Sequence, residues 1–83
     1  MQSPTVIKRH VDLVDRMADT LGVDLEEAAL CGQVSSDEIS DAVLRCTACS
    51  NPNHCDGWLA SRDTADDAPA YCRNRDLLRS LKP

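Results

Sequence analysis

Three of the chain's five cysteines, Cys46, Cys49 and Cys55, lie within ten positions of one another, and a fourth, Cys72, follows a polar stretch. The spacing C-x2-C-x5-C-x16-C constrains the fold because little else in the chain can hold it together. Its 83 residues include one Trp, one Tyr and no Phe, so the large buried areas that aromatic rings supply are missing and the core must be aliphatic. A chain of this size also buries a smaller fraction of its surface than a larger domain does. Such domains commonly add disulfides, a structural metal or a partner subunit. The cysteines therefore have a structural motive before any functional one.

Apolar periodicity and capping signals predict an all-α frame, a single compact domain of about five short helices. Ile7, Val11, Val14, Met17, Ala18 and Leu21 recur at helical spacing with His10 on the same stripe. This predicts a helix over 4–21, with Ser3 as its cap, Pro4 in its first turn and Gly22 at its end. Asp24 followed by Glu27 opens a second helix over 25–31 that Gly32 closes, with Cys31 on or near its buried face as packing. Ser35 with Glu38, and Val34 with Ile39, supply the capping box and staple of a third helix over 36–49. On it Cys46 and Cys49 emerge one turn apart on the core side. Asn51 and Pro52 start a fourth helix over 52–61, with Cys55, Trp58 and Leu59 on one face. RDTADDAPAYCR reads as a loop, and Asn74 caps a last helix over 75–81 with Leu77, Leu78 and Leu81 inward. There is no strand alternation and no internal repeat.

The turn SNPN folds the fourth helix back so that Cys55 approaches Cys46 and Cys49, and Cys72 can return from the loop to complete a four-cysteine cluster. Three chemistries fit. An iron-sulfur cluster, such as 4Fe-4S, takes four thiolates, several close in sequence and one remote, inside a shell that keeps water away. Trp58, Leu59 and Tyr71 would form that shell. A structural zinc site also takes four thiolates, usually as two short pairs, and only one such pair is present. In the third reading Cys46 and Cys49 are a redox-active C-x-x-C and Cys55 pairs with Cys72, or the cysteines simply pack. Redox C-x-x-C pairs normally open a helix whose N-terminus acidifies the first thiol, whereas this pair closes one. His10 and His54 are further candidate ligands, more simply explained as a core-edge residue and a polar first-turn residue.

The segments GVDLEEA, LRCTACSNPNHCDGWLA and APAYCRN resemble a family of small, functionally uncharacterised α-proteobacterial proteins over roughly residues 10–81. The resemblance implies a shared organisation in which Cys46, Cys49, Cys55 and Cys72 go with Trp58, Tyr71 and Asn74, and it implies no activity. C-x2-C-x5-C is also similar to the last three ligands of the iron-sulfur loop in helical DNA glycosylases. Their first ligand would fall at Ile39, so Cys72 would have to substitute from the other side, and the glycosylase domain itself is absent. The spacing supports a cluster and not DNA repair.

Composition narrows the function further. Nine basic against 14 acidic side chains give a net charge of −5, which opposes a nucleic-acid partner because phosphate contacts dominate that affinity. Acids crowd residues 12–41, while Arg73, Arg75, Arg79 and Lys82 mark the other end, a bipolar pattern that could dock a protein partner, as yet unknown. No apolar run is long enough for a membrane span, and MQSPTVIKRHVDLV lacks the features of a secretory signal, so a cytoplasmic location is expected. The chain shows no phosphate-cradling glycine loop and no serine nucleophile signature. Glu26, Glu27, Asp37, Glu38, Asp66 and Asp67 are better explained by helix starts and solvated faces than by acid-base pairs. The expectation is a non-enzymatic metal-binding accessory protein, with an iron-sulfur cluster serving electron transfer or redox and iron sensing. The alternative is an interaction module with structural zinc or unligated cysteines. Oligomeric state is not legible in these residues.

Overall fold

A computed structural model describes residues 4–82, all of whose regular structure is helical. The five helices are α1 (Pro4–Thr20), α2 (Leu25–Leu30), α3 (Ser36–Thr47), α4 (Pro52–Ala60) and α5 (Arg75–Leu81). Ser3, expected to cap α1, lies outside the described residues. α1 is the organising element, packing most extensively against α3 and next against α4. The molecule is flat, 30 × 30 × 17 Å. Among the described residues no helix is long and apolar enough to cross a membrane.

The core forms where Leu13, Met17, Ala18 and Leu21 of α1 and its end meet Cys55 and Leu59 of α4, Ala68 of the loop and Leu78 of α5. Leu78 is 1 % exposed. The buried face of α1 is rotated from the expected stripe: His10, Leu13, Val14, Met17 and Ala18 are buried, while Ile7 and Val11 are at the exposed edge. α3 and α4 both lie against the Leu13 side, which pulls the centre of the face away from Ile7 and Val11. Arg9 Nη2 donates to Asn53 Oδ1 at 2.7 Å and Arg16 Nη1 to Asp56 Oδ1 at 2.8 Å, fixing α4 along α1 from the solvent side.

α1 and α2 end alike. Val23 N–H reaches back to Ala18 O at 2.8 Å, and Gln33 N–H to Ala28 O at 2.8 Å, across Gly22 and Gly32 at φ 78 and 75. These are Schellman closures, which require the left-handed conformation that glycine adopts without penalty. Asp24 caps α2, and Ser35 with Glu38 forms the full capping box of α3. Two expectations need correcting. Cys31 is not packed: it is exposed as the C-cap of α2, with its thiol donating to Glu27 Oε1 at 3.3 Å. α3 ends at Thr47, before Cys49, because Ala48 caps it, its N–H turning to Arg45 O and the N–H of Cys49 to Cys46 O.

Candidate functional site

Cys46 sits in the last turn of α3, Cys49 just beyond its cap, Cys55 in the first half of α4 and Cys72 near the end of the loop that leads to α5. All four line one cavity of about 30 Å³, walled on its apolar side by Leu13, Val14 and Met17 of α1 and Leu78 of α5. Tyr71, Arg73 and Asn74 complete the lining. None of the five cysteines is in a disulfide. Among the described residues, no three His, Cys, Asp or Glu side chains converge closely enough to hold a single metal ion.

The surroundings keep the Cys46, Cys55 and Cys72 thiols neutral. Burial, followed by the neighbouring cysteines, pushes Cys46 up to about 11. Burial and then Cys72 do the same for Cys55, also to about 11, and burial raises Cys72. A reactive or redox cysteine needs the opposite, a thiolate favoured near neutral pH. At the same time polar groups lie against two of the sulfurs. Asn51 N–H donates to Cys49 Sγ at 3.4 Å, and His10 Nδ1 lies 3.1 Å from Cys46 Sγ.

The rim of the site is built from contacts that sequence reading missed. Asn74 is 4 % exposed and does not cap α5 with its side chain. Its Nδ2 instead donates to Ala42 O at 2.8 Å and its Oδ1 accepts from Arg45 Nε at 2.9 Å, tying the chain two residues after Cys72 to α3. Arg73 Nε adds a bond to Ala48 O at 3.2 Å. Tyr71 OH and His54 Nδ1 share a 2.7 Å hydrogen bond, with the rings edge-on at 5.4 Å, so the loop is also latched to α4. Trp58 and Leu59 lie outside the cavity wall: Leu59 belongs to the core, Trp58 packs against it, and Arg62 covers the indole at 4.1 Å. The apolar wall comes from Leu13, Val14, Met17 and Leu78, whose convergence on the cysteines has no local signal in the sequence.

A family model described as a family of unknown function (DUF6455) matches residues 1–83. The chain matches no curated protein and no solved structure.

Proposed function

The chain belongs to this family of unknown function, which brings no activity with it, and from the site itself we propose a small cytoplasmic accessory protein that binds an iron-sulfur cluster through Cys46, Cys49, Cys55 and Cys72. The observation that carries this reading is that four thiols from three separate segments line one apolar-walled cavity. Burial keeps Cys46, Cys55 and Cys72 protonated. A bound cationic centre supplies the charge that would turn them into thiolates, with the protons released to solvent. An iron-sulfur cluster distributes its thiolates over several metals, so it does not need them to converge on one point, and the apolar wall excludes water as such centres require.

When bound, the cluster supplies one-electron chemistry; with all four protein ligands in place it leaves no site for a substrate, which favours electron transfer or redox and iron sensing over catalysis. A structural zinc ion is the second reading; the four-thiol donor set suits it, but among the described residues no three such groups converge on one point, which a single ion requires. The docking alternative loses support from the basic end of the chain, whose cations are engaged internally. Arg75 and Arg79 bind Asp67, Arg73 binds Ala48 O, and Lys82 binds Asp66 O.

Reconstitution with ferrous iron and sulfide under anaerobic conditions tests the ligand set. Cys31→Ala is expected to take up as much iron as the unaltered protein, whereas Cys46→Ala and Cys72→Ala lose most of it together with the visible absorbance. Equal iron in all of these proteins would sink the assignment.

A further inference from the structure

His10 is 5 % exposed, on the buried face of α1, with Nδ1 3.1 Å from Cys46 Sγ. It is absent from the cavity wall that the four cysteines share, so it stands behind Cys46 and not beside it as a fifth ligand. One other sulfur of the set already accepts a backbone N–H, Cys49 from Asn51. His10 provides the side-chain contact at Cys46. A thiolate that ligates a metal has no proton to give and only accepts hydrogen bonds, so in the loaded protein a bond between these two atoms requires the proton to sit on Nδ1.

We infer that His10 is a positioning residue whose Nδ1–H donates to the ligated Cys46 sulfur and raises the reduction potential of the cluster, an inference that rests on the iron-sulfur reading. The physical reason is charge. Reduction adds an electron to the centre, some of that density reaches the thiolate, and a donor fixed against the sulfur stabilises the reduced state more than the oxidised one. The bond also ties the ligand of α3 to α1, the helix that supplies most of the apolar wall.

The test compares the reconstituted protein with His10→Leu, which keeps an apolar side chain in the buried position but removes the donor, and with His10→Asn, whose amide N–H falls near the place of Nδ1. Iron per chain is measured first, then the reduction potential by spectroscopic redox titration. His10→Leu is expected to bind the same iron and to shift the reduced-to-oxidised ratio at a given potential by roughly three- to tenfold, ~30–60 mV toward lower potential for one electron. His10→Asn is expected to recover most of that shift. Unchanged potential in His10→Leu, or equal potentials in the Leu and Asn variants, overturns the role of His10 while leaving the cluster standing. If His10→Leu does not load, His10→Gln replaces it, because its amide reaches the place of Nε2 and not of Nδ1; equal potentials for Asn and Gln then overturn the proposal. An unaltered protein that takes up no iron removes the cluster reading and this inference together, so iron content tells the two failures apart.

Discussion

Asp67 shows how a single residue can hold the loop that delivers Cys72. Its carboxylate accepts from Arg75 Nη2 at 2.8 Å and from Arg79, and its Oδ1 from Ala68 N–H at 2.9 Å. These bonds, led by Arg79, lower its pKa to about 2. The unfolded chain binds that proton near pH 4, so the contribution is complete above about pH 4 and is lost as the pH falls toward 2. Thermal unfolding of the metal-free protein is therefore expected to lose stability over this window, and Asp67→Asn to flatten the loss; an identical pH profile in the variant would contradict the assignment. In the sequence Asp67 reads as one solvated acid among many. Its partners lie in a helix whose docking is a tertiary event, and no local pattern announces the pairing. His10 is the opposite case: its place on the α1 stripe is legible, but its contact with Cys46 depends on how α1 and α3 cross.

At the scale of the element, the two Schellman closures and the capping box are short-range chemistry, and these are the places where sequence reading locates helix ends well. Gly22 sits at φ 78 with nothing within 4 Å of the place a Cβ would occupy, so a side chain there meets backbone strain alone. Gly22→Ala is expected to cost about 1–2 kcal/mol in urea unfolding. Gly57 also has open space, but it lies inside α4 without positive φ, and Gly57→Ala is expected to stabilise by about 0.5–1 kcal/mol. Effects of the same sign at both glycines would show that these helix ends are misread. The end of α3 is harder to place because Cys46 and Cys49 continue a helical spacing that the backbone abandons at Ala48. Caps that use backbone groups alone leave little trace in side-chain identity.

For the molecule as a whole, the all-helical architecture follows from periodicity and punctuation, and the long α1 sets the layout by packing against α3 and α4. That four cysteines line one cavity is suggested by their spacing and by the turn before α4. The apolar wall and the Asn74 and Arg73 anchors are not, since each joins residues far apart in the chain. The central claim is that this gathering exists to hold a metal centre in a small aliphatic domain. The most direct measurement is the iron, sulfide and zinc content per chain of untagged protein purified without oxygen. Iron and sulfide above one per chain are expected; zinc near one per chain would contradict the iron-sulfur reading and leave the thiols as a structural staple, and neither metal would contradict the metal-centre claim itself.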